Sequence, residues 1–66
     1  MRTDSRWMVG KRVRLVRTTD VHTRLVPGTL GTVRLVDDFG TVHVKWDDGS
    51  SLGMIEEAGD AFDVID

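Results

Sequence analysis

From Gly28 the chain runs Gly-Thr-Leu-Gly-Thr-Val-Arg-Leu-Val-Asp-Asp, then, after Phe39, Gly-Thr-Val-His-Val-Lys-Trp-Asp-Asp-Gly-Ser to Ser50. Two runs rich in β-branched residues, joined by Asp38-Phe39-Gly40 and closed by Asp47-Asp48-Gly49-Ser50, describe a hairpin with a second reversal behind it. Alternation assigns the faces. Val33 and Leu35 are expected inward with Thr32 and Arg34 outward, and Val42, Val44 and Trp46 inward with Thr41, His43 and Lys45 outward. Gly40 supplies the positive φ of the turn.

The flanking segments extend the same pattern. Arg12-Val13-Arg14-Leu15 alternates, with Val13 and Leu15 inward, until Val16 interrupts it with a bulge or a strand end. Residues 17–29 have no clean period and hold Pro27-Gly28, so they form a long loop ending in a turn. Leu52, Met54 and Ile55 suggest a short fourth strand, and Phe62 and Val64 the inward residues of a fifth. Residues 1–9 form an N-terminal arm in which Asp4-Ser5 caps a short helical turn and Trp7 and Met8 lie against the core. The remainder, 10–66, is a small five-stranded all-β barrel. Its long first loop and tight later turns fit an SH3-like barrel better than an OB barrel, whose strands are longer.

A chain of 66 residues makes one domain and buries only about 60% of its unfolded surface, so the core must be closely packed. With no cysteine, disulfides and thiolate metal sites are excluded. No segment approaches the ~20 apolar residues of a membrane helix, and none resembles a signal peptide, from which a soluble cytoplasmic protein without membrane contact is expected.

Charge is distributed unevenly. Residues 1–36 carry eight basic residues against Asp4 and Asp20, giving +6, whereas residues 37–66 carry Lys45 against nine acidic residues, giving −8. By strand parity Arg12, Arg14, Arg34 and Lys45, with His43, share the outer face and form a candidate surface for an anionic partner. Asp37, Asp38, Asp47 and Asp48 form a candidate surface for a basic partner beside the long loop. The two halves could also pair between copies as a salt-sensitive homo-oligomer.

Catalysis is not expected. Ser50 and Ser51 have no histidine at a spacing that would activate them, and there is no nucleophile elbow. The paired aspartates could meet to hold a hard cation, but Asp before Gly is ordinary turn chemistry, and His22 and His43 are too few for zinc. No cofactor or metal is anticipated.

The pattern Gly10-x-x-Val13-x-Leu15-Val16, Gly28-x-x-Gly31-Thr32-Val33, Val44-x-Trp46-Asp47-Asp48-Gly49-Ser50 and Gly59-Asp60-x-Phe62 resembles a small bacterial SH3-like domain family of unknown function. That family is met mainly in actinobacteria, their phages and mobile elements. Two shorter stretches are similar to Mib-type domains, which bind peptides, and to the KOW motif, which binds RNA or transcription partners. The resemblance implies a binding module, with a protein or peptide partner favoured and a nucleic acid as the alternative.

Overall fold

The computed structural model describes residues 6–65; the expected Asp4-Ser5 cap lies outside them. Five strands form one antiparallel sheet: β1 (Arg12–Arg17), β2 (Leu30–Val36), β3 (Val42–Trp46), β4 (Gly53–Met54) and β5 (Ala61–Val64). Their order, β4-β3-β2-β1-β5, is a meander whose last strand returns to pair with the first. The sheet is not closed: β4 and β5 are its two edges. Short 3-10 turns at Arg6–Met8 and Glu56–Ala58 precede β1 and β5.

Strand alternation produces the core. Val13, Leu15, Val33, Val42, Val44, Trp46 and Met54 are almost completely buried, and Val36, Leu52, Phe62 and Val64 pack against them. Trp46 is 1% exposed, and its indole Nε1 donates to the Leu52 carbonyl at 2.9 Å, which satisfies the one polar atom that such burial would otherwise strand. Gly31 is the counterpart of that ring. A Cβ there would lie 2.6 Å from Val44 Cγ1 and 2.8 Å from Trp46 Cε3, so β2 can pass beneath the indole only without a side chain.

Two bulges adjust the pattern. Between Leu15 and Arg17 the β1–β5 register shifts, as the interruption at Val16 suggests. Between Val33 and Leu35 the β2–β3 register shifts as well, so Arg34 and Leu35 both lie against His43 before pairing resumes at Val36 and Val42. This reverses the expected position of Leu35. It is 49% exposed, and Val36 takes its place against the core.

Two other apolar residues depart from expectation. Met8 is buried, but Trp7 is 59% exposed, because a 3-10 turn of three residues can turn only one of the two inward. Ile55 is exposed because β4 ends at Met54 and the chain enters the second 3-10 turn. The arm is tied down by Gly10 N–H to the Val33 carbonyl (2.8 Å) and Lys11 N–H to the Met8 carbonyl (2.8 Å).

Replacing Trp46 with Ala is expected to cost about 3–5 kcal/mol, the range for emptying a buried aromatic site. Gly31→Ala, a gain of one methyl, is expected to cost about 1–3 kcal/mol by overpacking. Urea unfolding followed by circular dichroism measures both, and a wild-type midpoint for Gly31→Ala would show that β2 can move away from the indole.

Candidate functional site

The outer face of β1, β2 and β3 carries the predicted cations. Cross-strand register aligns Arg12, Thr32 and Lys45 in one row and places Arg14 opposite Leu30. Arg34 emerges at the bulge near His43. Parity therefore brings the basic residues to one face, as expected.

Their electrostatics differ from that expectation. Arg12 forms a bidentate pair with Asp47, Nη1–Oδ1 at 2.9 Å and Nη2–Oδ2 at 2.5 Å, and also donates to Thr32 Oγ1 at 2.9 Å. Arg14 donates to Asp63 on the adjacent β5 at 3.2 Å. The side chains of Arg34 and Lys45 have no acidic partner among the described residues. These two line an open groove of about 320 Å³ with His43, Val44, Gly49 and Ser51.

The aspartates are likewise divided by their local chemistry. Asp37 Oδ1 accepts the N–H groups of Phe39 (2.9 Å) and Thr41 (3.0 Å), closing the β2–β3 turn, and Oδ2 lies 3.0 Å from His43 Nε2. Asp48 Oδ1 accepts the Ser50 N–H (2.9 Å) and hydroxyl (2.7 Å), closing the β3–β4 turn. Asp47 is held by Arg12. Of the four, Asp38 alone has no side-chain partner among the described residues.

The two acidic pairs stand at opposite ends of β3 and do not converge. No group of three or more potential metal ligands occurs among the described residues. No described helix is long and apolar enough to cross a membrane.

Sequence reasoning missed Asp60. Only 7% exposed, its Oδ1 accepts the Thr19 N–H (2.6 Å) and hydroxyl (3.0 Å), and its Oδ2 accepts the Ile55 N–H (2.8 Å). One carboxylate thus joins the start of the long loop, the exit of β4 and the entry to β5. Arg17 Nε reinforces the joint by donating to the Gly59 carbonyl at 2.7 Å. Leu25, buried in the core, anchors the loop further along. The sequence signal for Asp60 was a carboxylate beside a turn glycine, which has no distinctive pattern.

The chain matches the family model described as a domain of unknown function, DUF4314, over residues 2–65. It belongs to that family. Comparison with curated proteins and with solved structures finds no match.

Four carboxyls are held below the ordinary carboxylate range. Asp37 is lowered chiefly by its hydrogen bond with His43, Asp47 by Arg12, and Asp48 by the Ser50 hydroxyl. For Asp60, burial pushes upward, but the Ile55 and Thr19 N–H groups with the Thr19 and Thr18 hydroxyls outweigh it. Each depressed group contributes stability that is fully present above the unfolded value of about 4 and is lost as pH falls through the lower folded value. Stability is therefore expected to decline on acidification below about pH 4, with a shallower decline in Asp60→Asn. Asp60→Ala, which leaves three donors without their acceptor, is expected to cost about 2–4 kcal/mol. Denaturant midpoints across pH 2–7 check both, and an unchanged acid slope in Asp60→Asn would remove this carboxylate from the pH response.

Proposed function

We propose that this DUF4314 chain folds as an SH3-like barrel and works as a non-catalytic protein- or peptide-binding module. The strand order supports the fold reading, as do the long β1–β2 loop, the tight β2–β3 and β3–β4 turns and the 3-10 turn before β5.

The observation that carries the choice of partner is the pairing of Arg12 with Asp47 and of Arg14 with Asp63. Nucleic-acid affinity comes mainly from cations that neutralise phosphates and release counterions. Two of the four predicted cations already have carboxylates, and those carboxylates would repel a phosphate backbone. The described outer face carries alternating charge beside exposed Leu35, a composition better suited to a protein surface. Phe39 at the β2–β3 tip, 88% exposed, supplies an apolar contact beside Asp38.

Amide-resolved NMR titration with short mixed-sequence RNA and DNA, at low and then physiological salt, tests the reading. No clustered shifts are expected. Salt-sensitive shifts centred on Arg12, Arg14, Arg34 and Lys45 would overturn it in favour of a nucleic-acid module. Titration with acidic peptides is expected to shift the amides of Arg34, Leu35, His43 and Lys45.

A further inference from the structure

Two exposed features of this chain complement each other. The first is the β2–β3 groove, where Arg34 and Lys45 lack acidic partners among the described residues, together with Leu35, which does not line the groove but follows Arg34 on β2 and is exposed at the bulge. The second is the 3-10 turn between β4 and β5, which presents Glu56 and Glu57 beside exposed Ile55. Neither glutamate has an ion-pair partner among the described residues.

The acidic feature is held in shape. Asp60 accepts the Ile55 N–H at 2.8 Å, and Gly59, at φ 106°, returns its N–H to the Glu56 carbonyl at 3.0 Å. Two carboxylates with one branched aliphatic side chain on a fixed turn match two cations with one leucine on a fixed strand pair. Both backbones are therefore in place before contact, and the ordering left on association is that of the long charged side chains.

We propose that the groove binds a second copy of this chain, with Ile55, Glu56 and Glu57 of one copy docking against Arg34, Leu35 and Lys45 of the next. This rests on the binding-module reading and names the partner. The two surfaces are different parts of the molecule, the groove on β2–β3 and the turn anchored to β1 through Arg17 and to the long loop through Thr19. The contact is therefore heterologous, and each copy keeps one unused surface of each kind, so assembly proceeds head to tail into a ring or a filament. Few charges and a small apolar contact make it a weak association that depends on ionic strength.

Sedimentation velocity of the full chain, from micromolar to about 1 mM, is the test, because a weak contact forms only near its dissociation constant. At low salt the weight-average mass is expected to rise with concentration, and raising salt to about 0.5 M should weaken association on the order of tenfold through screening. Arg34→Ala/Lys45→Ala and Glu56→Ala/Glu57→Ala are each expected to remain monomeric while keeping the wild-type circular dichroism. Mixed one to one, each retains the surface that the other lacks, so they should form a heterodimer that does not grow. A wild-type chain that stays monomeric at every concentration would overturn the self-association while leaving the module reading to its own titration. Association of the wild type together with a mixture that remains monomeric would also overturn it, since another surface would then carry the contact.

Discussion

The indole of Trp46 lies against β2 at Gly31, and the remaining geometry follows from that contact. A methyl at residue 31 would enter the van der Waals space of both the ring and Val44. Because Gly31 also pairs with Val13, three strands approach one another at the position with the least side-chain volume. The ring's N–H then holds the Leu52 carbonyl, which directs the chain into the two residues of β4. A single large side chain thereby excludes any side chain from β2 at residue 31 and directs the path beyond β3, leaving the outer face of those strands to charged residues.

On that face the separation of charge along the chain is partly offset by pairing. The first half supplies Arg12 and Arg14, and the second half supplies Asp47 and Asp63. Exposed pairs of this kind add little to stability. Their larger effect is to decide which charges remain for a partner. Arg34 and Lys45 remain because the β2–β3 register places no carboxylate beside them, and Asp38, Glu56 and Glu57 remain on turns without an ion-pair partner among the described residues.

Side-chain alternation made the cores of β1 and β3 and most of β2 legible, since a half-buried strand must repeat every two residues. It failed at Leu35 for a specific reason. A bulge inserts one residue without changing composition, and every residue after it changes face. The outer position of the four cations was legible by the same parity, but their neutralisation was not. Arg12 and Asp47 are 35 residues apart, and only the tertiary register shows that they touch. Asp60 is a similar case: its partners lie 41 and 5 residues away, and a carboxylate next to glycine looks the same whether it caps a turn in water or joins three segments in the interior.

The return of β5 to β1 bears on the order in which the chain folds. Val13 and Leu15 belong to β1, yet their partners, Val64 and Phe62, lie on β5, beyond all the other strands in the sequence. Strands β1, β2 and β3 can form a meander by themselves, but one edge of β1 stays unpaired and part of the apolar layer stays wet until β5 docks. The arginines along β1 keep that waiting edge soluble and discourage its pairing with other nascent chains. The docking of β5 on β1, which joins the two strands farthest apart in sequence, is therefore the step that completes the apolar layer.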